Sequence, residues 1–201
     1  MNKAKVILLS IIAACGYGVV HDQITARLCI EYFTVAHPPL FHTTSPTLLA
    51  LCWGIAATAA IGAGFGIVLA LVSQSGSPPP YPVSRLFQNI LLLLSVMALS
   101  AFIAAVAGYQ LSQRGFLSDP AGLMEAIPAH QHHRFRAVWF AHIASYLVGL
   151  GGATVLCLRV WRQRGCPSVI SLFPRTRAAA IRAVIVVAIA ASIVWICFIA
   201  H

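Results

Sequence analysis

Two stretches of this chain hold the residue types that can ligate a metal or move a proton. The first is His21-Asp22-Gln23-Ile24-Thr25, followed by Glu31-Tyr32-Phe33-Thr34 and His37-Pro38-Pro39. The second is His130-Gln131-His132-His133-Arg134, with His142 further on. Neutral imidazole nitrogens and carboxylate oxygens both bind zinc, iron and copper, and the residue types alone do not choose among these ions. His130 and His133 are three apart, so on a helix they share one face and can meet one divalent ion. His21 and His142 are the further nitrogen ligands. Asp22 or Glu31 would complete the shell or act as base on a metal-bound water. The plainer alternative is an interfacial cap with ordinary pairing, in which Arg27 bridges Glu31 four residues on and His142 is a satisfied core histidine.

Other chemistry finds little support. There is no H-E-x-x-H pattern, no G-x-S-x-G elbow and no phosphate-binding glycine loop. Haem b held by two histidines at one depth, for example His142 and His21, is a less favoured alternative. The six cysteines form no C-x-x-C pair, so zinc-thiolate and thioredoxin-like chemistry are not indicated. Cys29 has Cys52 or Cys197 as candidate partners, but each cysteine reads better as an unpaired small hydrophobe.

The elements that must position these groups are membrane spans. The chain is 60% hydrophobic and 8% charged, which leaves too little polar surface for a soluble domain of 201 residues. Five apolar runs, 6–20, 47–73, 86–111, 137–158 and 183–200, are long and even enough for helices across a bilayer. They do not alternate as barrel strands would. The fold expected is therefore all-α: a polytopic transmembrane bundle of five spans, with residues 1–201 as one integral membrane domain.

Basic residues orient such a bundle. Lys3, Lys5, Arg85, Arg159, Arg162, Arg164, Arg175, Arg177 and Arg182 fall on one side, and Arg27, Arg114, Arg134 and Arg136 on the other. Nine against four places the N-terminus in the cytoplasm. The net charge of +9 is thus an insertion signal and not a sign of nucleic acid. The basic loop 159–182 faces anionic lipid headgroups. All four acids, Asp22, Glu31, Asp119 and Glu125, then lie on the outer side. The first run is only about 22 Å long as a helix, against a hydrocarbon core of about 30 Å. The first helix must then tilt little, thin the bilayer, or carry His21 and Asp22 at or below the headgroup boundary, where ionisable groups must pair or face protein. His142 lies about 8 Å inside the fourth run.

The start of the chain also has the look of a secretory signal, and Ile12-Ala13-Ala14-Cys15 is lipobox-like, but the apolar run continues through Val20. Small residues at Gly54, Ala57, Ala60, Gly62, Ala63, Gly64 and Gly66, and at Gly149, Gly151, Gly152 and Ala153, invite close helix packing, within the bundle or between copies. Asp119 with Pro120 is expected to start a short outer helix whose Leu123, Met124 and Ile127 lie on the membrane surface.

Gly18-Val19-Val20-His21-Asp22-Gln23-Ile24-Thr25 with Glu31-Tyr32-Phe33-Thr34 resembles the N-terminal signature of an uncharacterised family of small multi-pass bacterial membrane proteins. The resemblance covers about twenty residues. It implies a bacterial inner (cell) membrane protein with an outer-face segment, and it carries over no activity and no ligand.

Together these readings give an outer-face His/Asp/Glu cluster that binds a divalent metal and acts on a lipid-soluble or periplasmic small molecule. The alternative is a non-enzymatic membrane subunit or transporter component whose cluster is structural or a docking surface. A transport path is disfavoured because the middle of the third run is bare of polar groups. The partners expected are membrane lipids, a second copy or another membrane protein, and no nucleic acid.

The charge asymmetry makes a direct prediction. With the native cysteines removed, Ile170→Cys should be protected from an impermeant maleimide in intact cells and react after permeabilisation. Labelling from outside would reverse the orientation.

Overall fold

The structure is a computed structural model and describes residues 3–76, 78–117 and 122–164. Among these the chain is all-helical. Four long helices, α1 (Lys3–Leu28), α3 (Pro46–Gln74), α4 (Val83–Gln113) and α5 (His132–Gln163), are joined by a short helix α2 (Glu31–Thr34) and two 3₁₀ turns at Met124–Ala126 and Ala129–Gln131. All four long helices are long and apolar enough to cross a membrane. The expected fifth span, 183–200, lies outside the described residues, as do Asp119, Cys197 and the basic residues Arg175, Arg177 and Arg182.

Each long helix outruns its apolar core because polar residues continue the helix at its ends. α1 extends through His21 and Asp22 to Leu28, so the site sits on a continuous helix and not in a loop. Proline sets two of the starts: Pro46 occupies the first turn of α3, where its missing N–H costs nothing, and Pro82 caps α4. Gly76 takes the positive φ of 88° that turns the chain out of α3.

The bundle is two helix pairs. α1 lies along α3 and α4 along α5, with less extensive contact between the pairs. Backbone proximity holds the first pair. A Cβ added to Gly54 would fall 2.6 Å from the Val19 nitrogen, and one on Gly18 would fall 2.5 Å from the Gly54 oxygen. Gly62 and Gly66 continue this stripe down α3 against Ile11 and Ile7. Such approach gives dense contact where lipid offers no hydrophobic drive. On the second pair Gly149 and Gly152 of α5 receive Met97 and Leu93 of α4, and Gly108 of α4 receives Phe140. The glycines at these contacts therefore serve packing inside the chain, whereas a Cβ on Gly151 would have nothing within 4 Å.

Two cores close the ends. At one end Val6, Leu69, Leu86, Ile90, Leu156 and Val160 draw on all four long helices. There the Arg164 guanidinium donates to the carbonyls of Val72, Ser75, Pro78 and Pro79, tying the proline-rich α3–α4 linker to α5. The other core gathers Tyr32, Phe33, Leu49, Trp53, Met124, Ile127, Phe135 and Val138. Met124 and Ile127 are buried in it, so this 3₁₀ segment turns these side chains into the protein and not onto a membrane surface. The reason is tertiary: α2 and the loop after it leave aromatic surface that these side chains cover.

Gly54→Ala should lower thermal stability in detergent by roughly 1–3 kcal/mol, because the new methyl meets backbone that cannot yield. Gly16→Ala, whose Cβ would have nothing within 4 Å, should be neutral or stabilising by up to about 1 kcal/mol. Equal effects would mean that α1 and α3 do not pack as described.

Candidate metal centre

α1 presents its residues in three strips. Val20 and Ile24 are exposed outward, Gly18, Asp22 and Thr25 are buried inward, and Tyr17 and His21 flank the buried strip. On α5, His142 and Ser145 are one turn apart and both buried. The two helices bring these strips together in tiers. Tyr17 Oη and Ser145 Oγ lie 2.8 Å apart. In the next tier the His21 and His142 rings meet edge to face at 4.5 Å, and His142 Nε2 is 3.9 Å from Asp22 Oδ1. Thr25 then donates its hydroxyl proton to the His21 carbonyl at 3.2 Å, so His142 Nε2–H donates to Thr25 Oγ1, also at 3.2 Å.

His21, Asp22 and His142 offer one ligand atom each, all within 4.8 Å of one another. Asp22 and His142 are only 6% and 4% exposed, and His21 Nε2 is buried with no hydrogen-bond partner. A buried imidazole nitrogen without a partner is unusual, because leaving it so costs about 1–3 kcal/mol. Zinc–nitrogen bonds of about 2.0–2.1 Å would need these atoms to close by roughly 1 Å, within the reach of side-chain rotation.

α2 roofs the cluster. The Tyr32 ring stacks on His142 at 4.3 Å and touches His37, Phe135 and Trp139. His37 donates from Nδ1 to the Tyr32 carbonyl at 2.7 Å and packs its ring on Trp53. Burial holds the His37 imidazole below its ordinary value, against the opposing pull of that carbonyl. Burial likewise raises the Tyr32 phenol and, with the Glu31 carboxylate beside it, pushes the Cys29 thiol up to about 12. Cys29 is thus a protonated donor to Glu31 Oε2 at 3.3 Å, and both Cys29 and Cys52 are free.

The remaining residues singled out in the sequence lie elsewhere. His133 Nδ1 is 2.7 Å from Ser112 Oγ of α4. Nine residues at about 100° each set it on roughly the opposite side of α5 from His142, and about 13 Å along the axis. His130 is exposed in a 3₁₀ turn, so it and His133 do not share one α-helical face. His132 Nε2 accepts no metal-like setting either, being bonded to the Ile127 carbonyl at 2.8 Å. Glu31 is held by Cys29 and is not in the cluster. Arg27 does not bridge Glu31, since α1 ends at Leu28; it donates to Gln23 and Thr47 instead. The structure adds Tyr17, Thr25, Tyr32 and Ser145 around the cluster. Their sequence signal is the spacing from His21 and His142, by three or four residues for all but Tyr32.

No family model, curated protein or solved structure matches the chain.

The depressed His37 imidazole fixes the sign of one pH effect. The unfolded chain takes up the His37 proton below about pH 6.5 while the folded chain resists it, so His37 stabilises fully above that pH and less as pH falls. Thermal unfolding in detergent from pH 8 to 5 should show a smaller acid-side loss for His37→Asn than for the wild type. An unchanged slope would mean that His37 is solvated.

Proposed function

We propose that this is a bacterial cell-membrane protein, with its N-terminus in the cytoplasm, whose outward-facing bundle end holds a divalent transition metal on His21, Asp22 and His142. The observation that carries the reading is the buried, unpartnered His21 Nε2 beside Asp22 and the His142 imidazole. Two imidazoles and one carboxylate are a known donor set for zinc and for non-haem iron. The charge also fits: one carboxylate offsets half of a divalent charge in a place where an unbalanced ion is costly. The nine-to-four basic split and the outer position of the acids support the orientation.

The metal assignment now rests on His142 and His21, with Asp22 as a ligand. His130, His133 and Glu31 stand outside it by position. The Tyr17–Ser145 pair and Thr25 hold the two ligand helices in register, and Tyr32 keeps water from the His142 ring.

A second reading is favoured by one contact. His142 Nε2 already has a partner in Thr25, and with Asp22 this makes a structural network joining the helix pairs. That network would need no ion.

Metal content separates the two. The full chain, purified in mild detergent and titrated with zinc, should bind stoichiometrically. His21→Ala and His142→Ala should each lose the ion, and the double variant His130→Ala/His133→Ala should keep it. Acid should release it, because only neutral imidazole binds. A folded wild type that takes up no zinc, iron or copper would overturn the metal reading. The structural network would then stand, and it requires Asp22→Asn to lower the unfolding temperature.

A further inference from the structure

A divalent ion on His21, Asp22 and His142 keeps one uncompensated positive charge. The imidazoles are neutral ligands, and the carboxylate supplies a single negative charge. Away from bulk water that remainder is costly. Among the described residues no further acid is at hand: Glu31 accepts from the Cys29 thiol, and Glu125 is exposed in its 3₁₀ turn. The neighbouring groups that can become anionic are phenols. Three tyrosine rings touch the two imidazoles, Tyr17 on His21 at 5.6 Å, and Tyr32 and Tyr146 on His142 at 4.3 and 6.1 Å.

The three are not equivalent. Tyr17 Oη is committed to Ser145 Oγ at 2.8 Å. Tyr32 stacks on His142 with only 27° between the ring planes. An ion on Nε2 lies in the imidazole plane, so a phenol stacked over that ring passes beside the ion and not toward it. Thr25 Oγ1 is 3.2 Å from His142 Nε2, but its proton goes to the His21 carbonyl, and a neutral alcohol offsets no charge. Tyr146 differs on each count. It follows His142 by four residues on α5, so the two side chains leave one helix face a turn apart. A long side chain on a helix leans back toward the N-terminus, here toward His142. Its ring is tilted 56° from the imidazole and not stacked on it. It is close enough to Asp22 and Tyr17 to interact with both electrostatically. Among the described residues its hydroxyl has no hydrogen-bond partner.

Resting on the metal reading above, we infer that Tyr146 is a fourth protein ligand, its phenolate oxygen joining His21, Asp22 and His142 on the ion. The donor set is then two neutral nitrogens and two anionic oxygens, which brings a divalent complex to zero net charge. Binding exchanges the phenol O–H bond for a metal–oxygen bond, and the proton passes to the medium. Four protein ligands make a closed, structural type of centre. All four come from α1 and α5, so the ion fastens one helix pair to the other.

Zinc titration of the full chain in mild detergent, followed by ultraviolet difference spectroscopy, reads the phenolate directly, because a phenolate absorbs to the red of a phenol. One phenolate should appear for each zinc bound. Tyr146→Phe should lose that signal and bind zinc about tenfold or more weakly, since losing a ligand costs at least as much as losing a ligand's outer partner. Tyr17→Phe and Tyr32→Phe should keep the signal. Where iron or copper loads the site instead, the same phenolate gives a visible charge-transfer band with the same pattern across the variants. Metal bound with no phenolate would overturn this inference and leave the metal reading intact, and that test needs only the wild type. A phenolate that survives Tyr146→Phe would overturn it too. A wild type that takes up no zinc, iron or copper would instead remove the metal reading itself, and this inference with it.

Discussion

A carboxylate that lies only two residues beyond the apolar run of its helix and is 6% exposed cannot rely on bulk water. Asp22 is in that position, and the arrangement of this end of the bundle follows from it. Its helix turns it inward, away from the exposed strip of Val20 and Ile24. What it meets is an imidazole from another helix pair, His142, which sits five residues inside its own apolar run. Neither group has a comfortable alternative in hydrocarbon. Each is the solvent of the other.

That requirement matters because the pairs are otherwise held by different means. α1 and α3 approach backbone to backbone through Gly18, Gly54, Gly62 and Gly66, which needs no side-chain chemistry. α4 and α5 interlock through glycines that receive Met97, Leu93 and Phe140. Between the pairs the specific links are polar: Tyr17 to Ser145, His142 to Thr25 and Asp22, and at the far end Tyr81 to Gln163 and Arg164 to the linker carbonyls. Apolar packing sets how each pair fits together. Between the pairs, hydrogen bonds act together with the apolar core that draws on all four long helices. The same polar seam that aligns the helices brings the two imidazoles and the carboxylate to one point, so scaffold and site are one set of residues at this end.

The short helix α2 shows how a connector can complete such a site. With Ile30 and Glu31 continuing the turn just after α1 ends, the chain folds back at once, and Tyr32 lands on the His142 ring. The His142 ring is thereby flanked by Tyr32, Phe33 and Tyr146, and the His21 ring by Tyr17. A low-polarity enclosure strengthens every electrostatic contact within it and raises the penalty for any polar atom left without a partner. The free Nε2 of His21 stands out for that reason.

Much of this was legible in the residues. Length and evenness of the apolar runs determined the helical class, with four helices long and apolar enough to cross a membrane among the described residues. The placement of charge between the runs determined where ionisable groups would gather. Depth marked His21, Asp22 and His142 as groups needing partners, since helical rise converts position into distance along an axis. What sequence spacing lacked was rotation and pairing. His130 and His133 have helical spacing on paper, but the helix begins only at His132, and His133 turns toward Ser112 while His142 turns toward α1. Glu31 is near Asp22 in sequence, yet the break after Leu28 carries it to Cys29. Leu123, Met124 and Ile127 make an apolar side whose destination, membrane or protein, depends on surface that other segments expose. Those outcomes are decided by which helix faces meet, a long-range matter that the period of a single segment does not encode.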